Sequence, residues 1–437
     1  MFAFIYTLGI YLAQGVARLV ALFHLKTRLW VKGQEQAWQL IERWNKEYEE
    51  RKKGNINPKS KIANPESATP TFWFHAASLG EFEQGRPVIE ACRRQYPTAT
   101  IVLTFFSPSG YENKKDYDQA DLVCYLPADA PANVTRFLDV IRPDMALFIK
   151  YEFWPNYLQE LKKRQIPSVL FSAIFRPDQL FFKAYGGFYR NVLFCLDHIL
   201  VQNQESENLL KSINYNQVIL AGDTRLDRVV QIAKQAKTFP IIDQFKGDIP
   251  LLIVGSAWPD DLEVVFSFLN NFKHPLKVIV APHEINAEQI AKWQEAVNAE
   301  SLIYSELVKG SKNENASLLF LDTVGMLSSV YRYADFVFVG GGYRDGLHNT
   351  MEPAVFGMPI FFGQPYYQKF QEALDLLQLG GAQTVANAED FGKVFVEVYD
   401  NEELRKQKAA ICLNYVQKNA GATEKVMVVI NSKFVMS

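Results

Sequence analysis

Short apolar runs alternate with amphipathic stretches from Thr71 to Val385, and this rhythm restricts the chain more than any other feature. A first series of runs lies at 71–76, 100–105, 121–125, 144–149, 167–172 and 197–201. A second series begins near 217, with runs at 250–254, 276–281, 301–304, 317–321, 335–339, 359–362 and 382–385. Runs this short and this apolar, with helical patterns between them, read as strands buried on both faces. Strands that alternate with helices build parallel sheets covered on both sides. The expected class is α/β, with two doubly wound domains that face a cleft and hold ligand at the carboxyl ends of their strands. The first domain is expected over 71–215 and the second over 216–400. Terminal helices over 401–437 can cross back to the first. A chain of 437 residues suits two domains of ordinary size.

Ahead of the sheets, residues 1–23 carry one charge, Arg18. As a single helix they would reach about 34 Å, enough for a bilayer core. Lys26, Arg28 and Lys32 follow at once, which puts the rest of the chain on the cytoplasmic side of the inner membrane. The expectation is a membrane anchor over 1–25; the alternative is an amphipathic helix lying on the membrane or packed on the protein. Residues 26–70 read as a basic helix and a linker, the linker rich in Asn, Pro, Ser and Lys from residue 55. Residues 1–60 hold ten Lys/Arg against five Asp/Glu, although the whole chain has a net charge of −2. A nucleic-acid partner is therefore not indicated, while phospholipid is. The four cysteines (Cys92, Cys124, Cys195, Cys412) are far apart and show no metal-binding spacing.

Chemistry is expected where strands run into helices. Phe336–Val339 leads into GGGYRDGLHNTMEP at 340–353. Glycines let a backbone approach a ligand, and a helix start attracts phosphate. His348 and Asn349 stand where a helix would begin, and Glu352 falls in its first turn, able to meet ribose hydroxyls. A Gly-rich turn without ligand fits the same residues. Gly255-Ser256 and Pro282-His283 end two other strands of that series, as ligand contacts or as ordinary loop residues. In the first series, FWFH runs into AASLGE, and a helix is expected near Gln84. Glu81 is either a general base toward the cleft or a complement to the helix dipole. Glu112, after Ser107-Pro108-Ser109-Gly110, is a second carboxylate or a solvated residue. Glu152, before Trp154-Pro155-Asn156, either contacts substrate or orients its neighbours.

Taken together and in order, these segments resemble the 3-deoxy-D-manno-octulosonic acid (Kdo) transferases of lipopolysaccharide assembly. The resemblance rests on HAASLGE (75–81), SPSGYE (107–112), YLPADAPANVTRFL (125–138), EFWPN (152–156), VGSAWPDDLE (254–263), DTVGMLSSVYRYADFVFVGGG (322–342) and HNTMEPAVFGMPIFFG (348–363). It implies a GT-B glycosyltransferase that moves Kdo from CMP-Kdo to a lipid A precursor, with inversion and with neither metal nor other cofactor. The family's catalytic base matches Glu81, and a second functional carboxylate matches Glu112. Donor-site positions match Ser256, Gly341, Gly342, Asn349 and Glu352, with His283 beside them. Arg176 and Arg225 are candidates for the carboxylate and phosphate of the donor, or for surface ion pairs. Other readings of the same fold are a transferase or epimerase that uses a UDP compound, and a binding protein without catalysis.

Overall fold

The structure is a computed structural model that describes residues 2–53, 69–311, 313–344 and 346–434. The chain divides into two compact units. The first contains Met1–Asp227 and Gly421–Ser437, and the second Arg228–Ala420.

Seven strands form the sheet of the first unit: β1 Thr71–Ala76, β2 Thr100–Phe105, β3 Leu122–Tyr125, β4 Met145–Ile149, β5 Ser168–Ala173, β6 His198–Val201 and β7 Val218–Leu220. Their order is β3-β2-β1-β4-β5-β6-β7, and each pair is parallel. Successive side chains on a strand face opposite sides. Phe72 and Phe74 accordingly pack with Ile101, Leu103 and Met145, whereas Trp73 packs with Val102, Ala146 and Phe148 on the other face. The run near 217 belongs here and not to the second series, because β7 pairs with β6. The units therefore part at Asp227/Arg228, beyond the 215/216 boundary expected from the sequence. The last helix, Ala422–Phe434, also joins this unit. Asp227 caps it by accepting the backbone N–H groups of Gly421 and Thr423, and Phe434 meets Phe72 edge-on.

The second unit repeats the pattern with β8 Leu251–Ala257, β9 Lys277–Pro282, β10 Ser301–Ile303, β11 Leu318–Phe320, β12 Phe336–Val339, β13 Ile360–Gly363 and β14 Ala382–Val385. The order is β10-β11-β9-β8-β12-β13-β14, again wholly parallel. The strand order reverses between β1 and β4 in the first sheet and between β8 and β12 in the second, where β10 also lies outside β11 at the edge. Connections diverge there, and the carboxyl ends of those strands are left uncovered.

The N-terminal segment departs from the expected spanning anchor. It forms α1 (Phe2–Val20), a turn, and α2 (Leu25–Lys52). Arg28 donates to the carbonyls of Ala21 and Leu22 and so terminates α1. At 19 residues α1 is about 28 Å long, and it includes Gln14 and Arg18. Among the described residues no helix is long and apolar enough to cross a membrane. One face of α1 packs on the first unit, while Phe4, Leu8, Leu12 and Val16, four apart, are exposed. Helix α2 buries Ala37, Ile41 and Trp44 in the core beside Tyr125. Of the expected linker at 55–70, only residues 69 and 70 are described.

The loops on this side are organised by Asp129, 1 % exposed. It lies ahead of α5 (Pro131–Ile141) and accepts the backbone N–H groups of Asn156 and Tyr157, at 3.1 and 2.9 Å, in the first turn of α6 (Pro155–Lys163). Its third partner is the Tyr6 hydroxyl of α1, at 2.8 Å. Burial pushes its pKa up to about 6, against these bonds. Asp129→Ala leaves three buried donors without an acceptor and should cost about 2–4 kcal/mol, read from the urea midpoint at unchanged slope.

Candidate active site

The loops singled out in the sequence emerge at the two places where strand order reverses. In the first unit, β1 ends at Ala76 and α3 (Leu79–Gln95) begins earlier than expected, so Glu81 lies within its first turn. Ser78 stands at the N-cap, and its hydroxyl donates to the Glu81 carboxylate. Glu81 is half-buried. Both Glu81 and Arg176 act on the Tyr151 hydroxyl, which follows β4: burial raises its pKa, Arg176 lowers it and Glu81 raises it. Glu81 and Tyr151 thus follow the carboxyl ends of the neighbouring strands β1 and β4.

Beneath them lies a buried polar group. His75, 0 % exposed on β1, bonds through Nδ1 to Thr104. Its Nε2 stands 2.9 Å from Oε2 of Glu152, a separation that needs one proton between them. The indole N–H of Trp154 donates to Oε2 of Glu152 at 2.7 Å and lies 3.0 Å from Nε2 of His75. Glu152 is 6 % exposed, and its carboxylate lies between His75 and Trp154 after the end of β4. Glu112 lies on α4 (Pro108–Lys114), exposed and paired with Lys115 at 3.2 Å. Arg176 is exposed, whereas Arg225 pairs with Asp223 at 2.6 Å.

In the second unit, β8 ends in Ser256 at φ +52° and Ala257, and Trp258 precedes the helix Pro259–Leu269. Asp261, three residues on and 0 % exposed, accepts the Trp258 N–H and, across the reversal, the Gly341 N–H, both at 2.9 Å. Its Oδ1 has no partner among the described residues, and burial pushes its pKa up to about 6. Gly341 adopts φ +91°, and a Cβ on Gly342 would lie 2.3 Å from the Gly363 carbonyl oxygen. These two glycines are thus demanded by the protein's own backbone. One of the amides expected to face a phosphate is already bonded to Asp261.

The expected helix start is later and shorter than the sequence implied: it spans Met351–Ala354. Asn349 accepts the Met351 N–H through Oδ1 at 3.0 Å and donates to Glu352 at 3.4 Å. Glu352 is half-buried, and burial holds its carboxyl above the usual range while the Asn349 bond opposes. His283 is exposed and stacks on Trp258, with centroids 4.1 Å apart. The Trp258 indole donates to Nε2 of His348 at 3.1 Å, and Arg344 lies over the same ring.

Sequence reading gave no role to His75, Asp129, Trp258 or Asp261, and set His348 only at the start of a helix. Two signals were present. His75 interrupts an otherwise apolar strand, and Asp261 stands at capping-box spacing from Trp258. Burial, with His283 adding to it, lowers the His348 pKa from 6.5 to about 4. The folded state then binds this proton less readily than the unfolded chain. Its contribution to stability is present above pH 6.5 and is lost as pH falls through about 4. The imidazole resonances of His348 should show a neutral ring at pH 5, where an ordinary histidine is charged.

A family model described as 3-deoxy-D-manno-octulosonic-acid transferase matches residues 36–228, essentially the first unit. The 3-deoxy-D-manno-octulosonic acid transferase of Chlamydophila psittaci is 26% identical over 359 residues, 80% of this chain and 81% of that protein. The enzyme of the same name from Haemophilus influenzae is 24% identical over 367 residues, 81% of this chain and 85% of that one. Among solved structures, UDP-GlcNAc 2-epimerase from Neisseria meningitidis superposes with a TM-score of 0.57, covering 84% of this chain and 100% of that chain. At 14% identity it shows the fold alone. The sequence matches to these two relatives cover about four fifths of the chain, and the chain is a glycosyltransferase related to the Kdo transferases.

Proposed function

We propose that the protein transfers Kdo from CMP-Kdo to a hydroxyl of a lipid A precursor, with inversion at the anomeric carbon. The observation that carries this reading is the placement of Glu81 in the unit matched by the family model, at the uncovered end of β1, where the Ser78 hydroxyl donates to it. In the proposed step Glu81 accepts the proton of the acceptor hydroxyl. The new C–O bond forms at the anomeric carbon as the bond to the CMP phosphate breaks, and CMP leaves with that electron pair. Arg176, cationic and exposed, suits the donor carboxylate. In the second unit Glu352 suits the ribose hydroxyls, and Ser256, Asn349 and His283 suit the nucleotide. The step assigns no role to a metal.

Incubating the purified protein with CMP-Kdo and a tetraacylated lipid A precursor, then weighing the product by mass spectrometry, tests the reading. A product heavier by Kdo supports it. CMP should compete with the donor more strongly than UDP, and the reverse order would point to a UDP-sugar enzyme. Glu81→Gln should lower the rate by about 10²–10⁴-fold with CMP binding intact. Unchanged turnover would remove Glu81 from the role of base.

The exposed apolar stripe of α1 further suits a helix lying in the membrane interface, with Lys26 and Lys32 toward anionic lipid. Replacing Leu8 and Leu12, 49% and 63% exposed, by Glu should weaken binding to anionic vesicles by about tenfold or more. Unaltered vesicle flotation would move the contact to another surface.

A further inference from the structure

A cavity of about 410 Å³ lies within the first unit, between α1 and α2 on one side and the loops after β2, β3 and β4 on the other. It falls in the size range of small-ligand sites, about 300–1,000 Å³. Its walls include Ala13 and Ala17 from α1, Trp30 from α2, Leu126 after β3 and Trp154 after β4. Two charged residues reach it. Asp129 is occupied by its bonds to α1 and α6, and Lys26 is exposed.

Two lining side chains are unsatisfied. Gln14 Nε2 and Trp30 Nε1 are buried hydrogen-bond donors with no acceptor among the described residues. Buried donors are nearly always paired, and leaving one unpaired costs about 1–3 kcal/mol. An apolar slot that presents two idle N–H groups matches an alkyl chain with an ester or amide carbonyl. Three further observations choose its owner. The exposed stripe of α1 suits a lipid surface, and Arg18, Lys26 and Lys32 suit an anionic headgroup. The cavity also reaches Ser107, whose N–H bonds to the Ala77 carbonyl at 2.8 Å, next to the Ser78 that holds Glu81. A lipid seated here has its polar end beside the proposed base.

We infer that this cavity binds one acyl chain of the lipid acceptor, with the chain's carbonyl at Gln14 and Trp30. The inference rests on the function proposed above. It makes α1 part of the acceptor site and assigns acyl recognition to the seam between α1 and the sheet.

The experiment compares the full chain and Ala17→Phe, which fills the cavity, on the tetraacylated precursor and on its fully deacylated form at fixed CMP-Kdo. Ala17→Phe should raise KM for the acylated acceptor by about tenfold and leave KM for the deacylated form and the affinity for CMP within about twofold. Gln14→Leu removes an idle donor at similar volume and should raise only the acylated KM, by about threefold or more. Equal shifts on both acceptors, or none in either variant, overturn the inference. Binding is read separately from transfer with a brominated-acyl analogue of the precursor, which should quench tryptophan emission in the parent protein and less in Ala17→Phe. Kdo transfer by the parent with quenching unchanged by Ala17→Phe sinks the cavity alone. Quenching that depends on Ala17 with no transfer to either acceptor sinks the proposed function and with it the identity of the lipid. Equal quenching by vesicles of brominated phosphatidylglycerol assigns the cavity to bilayer lipid and overturns the acceptor assignment.

Discussion

Everything chemical in this molecule depends on how a parallel sheet is threaded. Each strand must be covered on both faces, so each connection carries a helix over one face or the other. Where two neighbouring strands send their connections in opposite directions, no helix closes the gap at their carboxyl ends. In the first unit that gap opens beyond β1 and β4, and it holds Glu81, Tyr151 and Glu152. In the second it opens beyond β8 and β12, and it holds Ser256, Trp258 and the Gly340–Gly342 turn. Polar groups reach these ends because backbone there has left the ladder and needs partners.

Buried carboxylates supply many of those partners. Asp129 and Asp261 each accept two backbone N–H groups and each sit fully inside the protein. Burial penalises their charged forms, and the accepted bonds offset only part of that, so both titrate near 6 in place of 3.8. Their contribution to stability is fully present below about 3.8 and is lost as pH rises through about 6. What they gain in return is position. Asp129 fixes the first turn of α6, and Asp261 fixes Gly341 against the end of β8. The Gly341 amide is then held by the protein, which shifts the task of meeting an anion to side chains near it.

The sheets were legible in the sequence because apolar runs of strand length have few alternatives. Every expected run became a strand, within one or two residues at most ends. Errors arose where packing, not periodicity, decides. Three apolar residues at 218–220 look the same whether they end one sheet or start another, and only pairing with β6 assigns them. The reading of residues 1–23 as one spanning helix met a similar limit. Residues 1–23 are apolar enough for a bilayer when counted together, but Arg28 caps the helix at its end and Tyr6 bonds to Asp129, which no local pattern announces. The site was half readable. Glu81 and Glu352 stand at strand-to-helix junctions visible in the sequence, whereas the pairing of His75 with Glu152, 77 residues away, appears only in three dimensions.

That pairing also changes what α1 is. From α1, Tyr6 reaches Asp129; Asp129 holds the first turn of α6; Trp154, just before that turn, donates to Glu152, which pairs with His75; and β1, which carries His75, delivers Glu81. Every link is a hydrogen bond or a covalent neighbour, and the central ones are shielded from water. Such bonds keep their geometry better than surface contacts do, because breaking one exposes a buried group without an exchange partner. An appended anchor would need none of this. The apolar helix at the N-terminus is instead built into the same unit as the carboxylate, through bonds that fix where its exposed apolar stripe stands relative to the end of β1.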